Sequence, residues 1–319
     1  MNRPRVLIRE PIAEAGVNLL RERFDVDVDS NGDLASKIGG YDAIVIRSAT
    51  KLTADVIERA ERPKVIGRAG VGVDNVDVEA ATRRGIVVAN APESTVTSAA
   101  EHTIGLVVAL ARNIPQAHAA LKQGRWERSA WGGIELEGKT LGVLGCGRIG
   151  QQVARRALGL GMRVIAYDPF VAKERLRELG VERGETPDDV LAAAEFLTLH
   201  LPLTQETRGF LGREAIAKLP QGARVINAAR GELIDEEALA EALEQGVIYA
   251  AGIDVYEKEP AVHPRLLAAP RTVLLPHIGS ATVETRTAMS RLASASVRAV
   301  VAGEMPSNAL NPEAAASSL

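Results

Sequence analysis

The sequence has 319 residues but a single cysteine, Cys146, and only 3% aromatic residues. One cysteine cannot form an intrachain disulfide or a cysteine metal cluster, so no metal is expected, and Cys146 is interpreted as a small packing residue. The net charge is −3, with no basic block suited to nucleic acid or to an acidic membrane face. No apolar stretch reaches the roughly 18 to 20 residues that cross a bilayer, and the N-terminus lacks a signal-peptide core. We therefore expect a soluble, cytoplasmic protein.

The order of apolar segments predicts an α/β protein. The length exceeds what one hydrophobic core usually holds, so two domains are expected. Short β-rich runs alternate with amphipathic helical segments, which is typical of βαβ units with a parallel sheet. The strands predicted in a first series are Val6–Arg9, Val26–Val28, Ala43–Arg47, Val65–Arg68 and Val87–Ala89. Those predicted in a second series are Leu141–Leu144, Arg163–Tyr167, Phe196–Leu199, Arg224–Asn227, Ala250–Asp254 and Val273–Leu275.

Helix signals place the junctions between the two series. A helix over Ala54–Ala60 is expected behind a threonine cap at Thr53. A long helix is expected to begin near Ser98, because Ser98 and Glu101 have the spacing of a capping box before an apolar run. The pattern after Ala281 is again helical, and we expect this C-terminal segment to return to the first domain. The predicted domains are therefore 1–97 together with 285–319, and 98–284.

Residues 145–150 read GCGRIG, a G-x-G-x-x-G motif between a predicted strand and a predicted helix. That context places a pyrophosphate on the helix N-terminus. Gly145 permits the tight turn, Gly147 lets the backbone approach the phosphates, and Gly150 allows close packing of helix on strand. Asp168 ends the next strand 18 residues after Gly150, near the spacing of an acid that binds the ribose hydroxyls of NAD. The alternative is a structural glycine turn with a surface aspartate.

Three polar residues follow the late strands of the second series: Arg230, Glu259 and His277. Doubly wound sheets place ligands at the carboxyl ends of their strands. Oxidation of a hydroxy acid needs a base for the hydroxyl proton, and histidine suits it because its unperturbed pKa lies near neutrality. Arginine can bind a carboxylate through two hydrogen bonds, and glutamate can orient an imidazole. Each residue has an ordinary alternative, as a surface charge, a rim carboxylate or a buried histidine with satisfied hydrogen bonds.

From about Val6 to Pro312 the chain resembles the D-isomer-specific 2-hydroxyacid dehydrogenases. The resemblance is carried by RSATK at 47–51, GRAGVGVDN at 67–75, SAAE at 98–101, GCGRIG at 145–150, YDP at 167–169, NAARG at 227–231, DVY at 254–256 with EP at 259–260, and PHIG at 276–279. It implies two Rossmann-like doubly wound parallel-sheet domains with an active-site cleft between them. It also implies that NAD is the cofactor and that Arg230, Glu259 and His277 are the catalytic set.

The resemblance also implies roles for the domains and for further residues. The discontinuous domain would bind substrate, and 98–284 would bind NAD and carry a dimerisation arm with Trp126 and Trp131, giving a homodimer or higher homo-oligomer. Motif and resemblance together predict as cofactor-binding residues Gly145, Gly147, Arg148, Ile149, Gly150, Asp168, His200, Leu201, Pro202, Ala228, Ala229, Arg230, Asp254, His277 and Gly279. The predicted substrate-binding residues are Arg47, Arg68, Val71, Gly72, Arg230 and His277.

The substrate is less constrained than the catalytic set. Arg47 and Arg68 each end a first-domain strand and suit the phosphate of 3-phospho-D-glycerate, although structural ion pairs are the alternative. A glyoxylate/hydroxypyruvate reductase or another D-2-hydroxyacid dehydrogenase would share the catalytic set. An NAD-sensing, corepressor-like binding protein is less favoured, because no interaction tail is recognisable. Many relatives carry C-terminal regulatory domains, so this chain is expected to be either a short form or a truncated one. Val71 replaces a hydroxyl residue of some relatives.

Overall fold

The computed structural model describes residues 3–314, in which parallel strands alternate with helices. The strands are β1 (Arg5–Ile8), β2 (Asp25–Val28), β3 (Ala43–Ile46), β4 (Val65–Arg68), β5 (Val87–Ala89), β6 (Thr140–Leu144), β7 (Arg163–Tyr167), β8 (Glu182–Arg183), β9 (Phe196–Leu199), β10 (Ala223–Asn227), β11 (Ile248–Ile253) and β12 (Thr272–Leu274). The helices are α1 (Glu14–Arg21), α2 (Leu34–Lys37), α3 (Ala54–Glu58), α4 (Val78–Arg83), α5 (Val96–Arg112), α6 (Ile114–Lys122), α7 (Arg148–Gly159), α8 (Lys173–Glu178), α9 (Pro187–Ala193), α10 (Arg213–Ile216), α11 (Glu236–Glu244), α12 (Pro264–Ala268) and α13 (Val283–Val301). The chain forms two compact units, Met1–Thr95 with Ser280–Leu319, and Val96–Gly279.

The first unit contains a five-stranded parallel sheet in the order β2-β1-β3-β4-β5. Strands β3 and β5 are buried along their whole length, as expected where helices cover both faces of a sheet. One face packs on α1 and α13, and the other on α2, α3 and α4. The segment after α13 stays with this sheet: Ala309 bridges Ala89, and Asn311 Oδ1 accepts a hydrogen bond of 2.7 Å from the Val88 amide. The C-terminal segment therefore completes the first unit.

The second unit contains a seven-stranded parallel sheet in the order β12-β11-β10-β9-β6-β7-β8. Helices α5, α7 and α8 contribute to the core on one face, and α9 to α12 to the core on the other. Strands β6 and β9 are neighbours, and the strand order reverses between them. Ligands of doubly wound sheets bind at the carboxyl ends of the strands beside such a reversal. The loops after β6 and β9 are therefore the expected position of a bound ligand.

The predicted α/β class with parallel sheets is confirmed, and every predicted strand is present with ends shifted by at most two residues. The long helix predicted to begin near Ser98 is present, but α5 begins at Val96, so Ser98 lies buried inside it and its predicted role as the cap is wrong. Several hydroxyl residues occur together here, and capping preference alone does not distinguish among them. Thr53 does precede α3, but its side chain makes no capping hydrogen bond.

Two further properties concern the described residues as a whole. Between residues 3 and 314, none of the helices combines the length and the apolar character that crossing a lipid bilayer requires. In the same range, histidine, cysteine, aspartate and glutamate side chains do not gather in a group of three or more that could hold a metal ion.

Candidate functional site

The three glycines of the loop after β6 meet three different steric demands. Gly145 has a φ of +88°, and a Cβ atom there would lie 2.5 Å from the carbonyl oxygen of His200. A Cβ atom at Gly150 would overlap the carbonyl oxygen of Gly145, so α7 packs directly on the turn. At Gly147, by contrast, no atom lies within 4 Å of an added Cβ. The loop is therefore closely packed at its ends and open at its middle glycine.

That open side lies at the amino end of α7. The helix begins at Arg148 with Gly147 in the N-cap position, and no side chain caps it. The first amides of a helix have no partner within the helix and carry the positive end of its dipole. Ile149 packs against the core while Arg148 is exposed. An approachable backbone with uncapped amides fits the pyrophosphate of a dinucleotide.

Asp168, after β7, is attached to this glycine loop. Its Oδ2 accepts a hydrogen bond of 2.8 Å from the Cys146 amide, and its Oδ1 accepts one of 2.9 Å from the Phe170 amide. A carboxylate has about four lone-pair positions, so two remain available for ribose hydroxyls. The following residues, 169–172, contain no arginine that could bind a 2′-phosphate. The residues present therefore fit NAD.

Two residues near this loop are held in their neutral forms. Burial raises the pKa of the Cys146 thiol to about 12, so the thiol is a packing residue, as predicted. Burial lowers the pKa of His200 to about 4, and its Nε2 lies 3.0 Å from Thr198 Oγ1. The backbone of His200 and Leu201 packs against Gly145. His200, Leu201 and the exposed Pro202 therefore follow β9 on the side where the glycine loop turns.

The predicted catalytic residues follow three adjacent strands, β10, β11 and β12. We call the segments that carry them the arginine loop (228–231), the glutamate loop (255–263) and the histidine loop (275–279). His277 Nδ1 lies 2.8 Å from Glu259 Oε2 and 3.1 Å from Glu259 Oε1, and both side chains are partly exposed. Burial raises the pKa of Glu259, but the hydrogen bond to His277, the attraction to that imidazole and the bond from the Tyr256 amide together outweigh it, so that pKa lies below its ordinary value. The structure thus brings Glu259 and His277 together as an ionised carboxylate and an imidazole.

The arginine loop is shaped by Asn227, a fully buried residue at the end of β10. Its Oδ1 accepts a hydrogen bond of 3.0 Å from the Ala229 amide, and its Nδ2 donates one of 2.8 Å to the Arg230 carbonyl. These two bonds close a turn around Ala228. The half-buried Arg230 side chain donates through Nη1 to the Ala229 carbonyl at 2.7 Å. Ala228 and Ala229 leave little side-chain bulk at this end of the strand.

Tyr256 joins the three loops, and the sequence reasoning missed it. A Cβ atom at Gly231 would overlap the carbonyl carbon of Tyr256, so the arginine loop packs directly on its backbone. The Tyr256 amide donates to Glu259 Oε1 at 3.1 Å. Its hydroxyl lies 2.9 Å from the Leu275 carbonyl oxygen, and burial raises its pKa to about 12. Two signals were available: the DVY stretch at 254–256 that carries the resemblance, and a tyrosine beside the site in a chain that has four.

The glutamate loop is held by a second residue that the sequence reasoning missed, Glu236 of α11. This buried side chain accepts a hydrogen bond of 2.8 Å from the Glu257 amide through Oε1. Its Oε2 accepts one of 3.2 Å from the His263 amide. The two amides lie on either side of Glu259 in the chain. Glu236 therefore fixes the segment that carries the carboxylate partner of His277.

Asp254 holds the histidine loop in the same manner. Its carboxylate is fully buried and accepts hydrogen bonds from the Ile278 amide at 2.8 Å and the Gly279 amide at 2.7 Å. His102 Nε2 lies 3.3 Å from Asp254 Oδ2, close enough for electrostatic attraction but not aligned as a hydrogen bond. Burial raises the pKa of Asp254, but His102 and the two amides outweigh it, and the pKa lies below its usual value. His277 itself has a φ of 54°, which is uncommon for a residue other than glycine.

The remaining predicted residues, Arg47, Arg68, Val71 and Gly72, belong to the first unit. Arg47 follows β3 and forms no ion pair with any residue from 3 to 314. The guanidinium of Arg68, at the end of β4, folds back over Gly70. Among the described residues, no acceptor is recorded for the amides of Val71 and Gly72. Arg47 and these two amides thus keep their hydrogen-bonding capacity at the carboxyl edge of the first sheet.

Comparison with known proteins confirms the predicted family. Residues 104–279, a little over half of the chain, match the model of the D-isomer specific 2-hydroxyacid dehydrogenase, NAD binding domain. D-3-phosphoglycerate dehydrogenase of Methanocaldococcus jannaschii is 48% identical over 310 residues, which cover 96% of this chain and 59% of that protein. The chain therefore spans less than two thirds of that relative.

Solved structures match over nearly their whole length. The TT0316 protein from Thermus thermophilus is 37% identical with a TM-score of 0.88, covering 96% of this chain and 99% of that one. A glyoxylate reductase from Paecilomyes thermophila is 33% identical with a TM-score of 0.87, covering 97% and 99%. The predictions of an oxidoreductase and of NAD as its cofactor are confirmed with the family. The chain belongs to the NAD-dependent D-isomer specific 2-hydroxyacid dehydrogenases.

Proposed function

We propose that this chain oxidises 3-phospho-D-glycerate to 3-phosphohydroxypyruvate, the first step of serine biosynthesis, with His277 as the base. The assignment of His277 as the base is supported above all by the 2.8 Å contact between its Nδ1 and the ionised Glu259. The choice of substrate is supported by the 48% identity to the phosphoglycerate dehydrogenase of Methanocaldococcus jannaschii and by Arg47, which forms no ion pair within residues 3–314.

In this proposal each side chain has one task. His277 takes the hydroxyl proton of the substrate on Nε2, because Nδ1 is bound to Glu259. Glu259 fixes the plane of the imidazole and stabilises its protonated form. Arg230, with the Val71 and Gly72 amides, binds the substrate carboxylate. When bound along 145–150, NAD supplies the hydride acceptor.

The assembly and cellular site are part of the proposal. We propose that residues 1–97 with 285–319 bind substrate and that 98–284 bind NAD. Trp126 is 81% exposed, and Ile114 and Leu121 on α6 are also exposed apolar residues. Such a group favours burial against a second copy, so a homodimer is proposed. A single buried cysteine favours a reducing cytoplasm.

Replacing the base tests the mechanism. His277→Ala should lower kcat by at least about 100-fold, since positioned proton transfer contributes 10² to 10⁴. NADH affinity, measured by fluorescence titration, should change little. Glu214→Ala is the control, because Glu214 lies exposed on α10, away from α6 and from the three loops. Near-normal turnover of the His277 variant would contradict the assignment of the base.

A comparison of substrates tests the specificity. NADH formation should be much faster with 3-phospho-D-glycerate than with D-glycerate, at alkaline pH with a trap for the keto product. The second candidate is reduction of glyoxylate or hydroxypyruvate, favoured by the TM-score of 0.87 to a glyoxylate reductase. Equal rates with the two acids, together with fast reduction of hydroxypyruvate, would select that candidate.

A further inference from the structure

A cavity of about 550 Å³ lies in the first unit at the carboxyl edge of its sheet. It is bounded by residues that follow β1, β2 and β3, among them Ser30 and Thr50. The strand order β2-β1-β3 reverses between β1 and β3, so the cavity lies beside the switch point of this sheet. Parallel sheets bind ligands at that position because the connections after the two strands lead to opposite faces of the sheet and leave a crevice between them. The cavity is formed wholly by this unit, and its volume is far larger than a phosphate group needs.

The ionisable side chains that line the cavity are mostly cationic. Arg9, Arg47 and Lys51 carry positive charge, and Glu10 is the one carboxylate in the lining that the structure describes. Glu10 is occupied by backbone amides, those of Arg47 at 2.7 Å, Ala49 at 3.0 Å and Thr50 at 3.1 Å. Its charge is thus directed at the loop and is not paired with a lining cation.

The three cations differ in what they bind already. Arg9 donates to the carbonyl oxygens of Asp29 at 3.0 Å and of Asn31 at 2.6 Å, so it is a structural residue, and its charge also attracts the Asp29 carboxylate. Neither Arg47 nor Lys51 has a side-chain partner among residues 3–314. These two side chains are therefore the ones that can bind an anion directly. Arg68, which folds over Gly70, lies outside the lining of the cavity.

The loop that carries Arg47 and Lys51 is held by hydrogen bonds at both of its edges. On one side Glu10 accepts its amide hydrogens, and on the other Asn75 Nδ2 donates to the carbonyls of Arg47 at 2.8 Å and Thr50 at 2.6 Å. Immediately after Lys51, Leu52 bridges the neighbouring segment at Val76. A loop bound at both edges loses little entropy when a ligand arrives, which favours tight binding of a small anion.

We propose that this cavity binds the phosphate group of the substrate, with Lys51 as a second phosphate ligand beside Arg47. This inference rests on the proposed function, because it identifies the groups that would select a phosphorylated acid. An ammonium and a guanidinium bind a dianion by charge-assisted hydrogen bonds, the stronger class of such bonds. Glu10 and Asn75 act as positioning residues that hold the two cations on one loop.

The test compares Lys51→Met with Lys64→Met. Methionine keeps the apolar stem of lysine and removes its charge. Lys64 is exposed and precedes β4, so it lies at the opposite edge of the same sheet and serves as the control. In the full chain, Lys51→Met should raise KM for 3-phospho-D-glycerate about tenfold or more with kcat nearly unchanged, since uniform binding is removed. Lys64→Met should leave both constants unchanged, and Lys51→Arg should restore most of the affinity.

Inorganic phosphate provides a readout that does not depend on turnover. Line broadening of its ³¹P signal by the wild-type chain should decrease with Lys51→Met but not with Lys64→Met. Normal turnover of 3-phospho-D-glycerate with an unchanged KM in Lys51→Met would overturn this inference and leave the proposed function standing. Absence of turnover in the wild type would overturn the proposed function, and the ³¹P comparison would then show whether the cavity binds phosphate. Equal broadening of the phosphate signal by Lys51→Met and Lys64→Met would contradict a phosphate site at Lys51.

Discussion

The open side of Gly147 leads to a prediction that separates cofactor binding from stability. Gly147→Ala places a methyl group where no atom lies within 4 Å, at the amino end of α7. We expect a pyrophosphate to approach the helix amides from that side. The methyl group should therefore keep the cofactor at a distance without disturbing the fold.

The magnitudes follow from the local geometry. Gly147 has a φ of −68°, which alanine adopts without strain, so the free energy of unfolding should change by less than about 1 kcal/mol, with a slight gain favoured. Weaker contact between phosphate oxygens and amides should raise the Kd for NADH at least tenfold, or about 1.4 kcal/mol. Gly150→Ala should behave differently, because its Cβ would overlap the Gly145 carbonyl oxygen, and about 1–3 kcal/mol of stability should be lost.

The assay is a fluorescence titration with NADH, paired with thermal unfolding. A change of 1 kcal/mol shifts Tm by about 2–4 °C in a domain of this size, which is readily resolved. Gly159→Ala is the matched control, since it lies in the last turn of the same helix and its Cβ also meets no atom. It should leave the Kd unchanged. An unchanged Kd in Gly147→Ala would refute the reasoning that the open side receives the pyrophosphate.

Three further predictions concern groups held by the fold. Gly231→Ala should cost about 3 kcal/mol or more, seen as a lower Tm, because its Cβ would overlap the Tyr256 carbonyl carbon; an unchanged Tm would contradict this packing. Cys146, with a thiol pKa of about 12, should resist iodoacetamide at about pH 8 until the chain is unfolded, and rapid labelling of the native protein would show that the site is open. Asp254 has a folded pKa below its usual 3.8, so its contribution to stability is present above pH 3.8 and is lost as pH falls through the folded pKa. The stability gap between wild type and Asp254→Asn, measured by urea unfolding, should therefore narrow at low pH, and a constant gap would contradict the ionised form.

The strands could be predicted because buried parallel strands are apolar runs between polar or glycine-rich turns. Strand β8 was missed because Glu182 and Arg183 are both charged and exposed. It lies at the edge of the sheet and is recognised only by its backbone pairing with β7. The start of α5 could not be located for a related reason, since neighbouring hydroxyl residues compete for the cap and tertiary packing selects among them.

The candidate site likewise contains residues that could be predicted from the sequence and residues that could not. Residues at strand ends could be predicted, because topology alone brings the carboxyl ends of parallel strands to one edge. The residues that hold them could not. His102 meets Asp254 from a distant helix, and Tyr256 meets Gly231 through backbone packing. Hydrophobic periodicity records which face of an element is buried, but it contains no information about which buried polar group will meet which amide.

Those supporting residues follow one rule that explains how the site keeps its shape. Each catalytic loop is held by one buried polar side chain bonded to backbone: Asn227 for the arginine loop, Glu236 for the glutamate loop and Asp254 for the histidine loop. Glu236 and Asp254 each accept hydrogen bonds from two backbone N–H groups, and a backbone N–H group can only donate. Glutamine or asparagine would turn an NH₂ group toward one of those donors and leave it unsatisfied. The charge at these two positions is therefore required by the geometry of the backbone, so the corresponding amide substitution is not conservative even though it preserves volume.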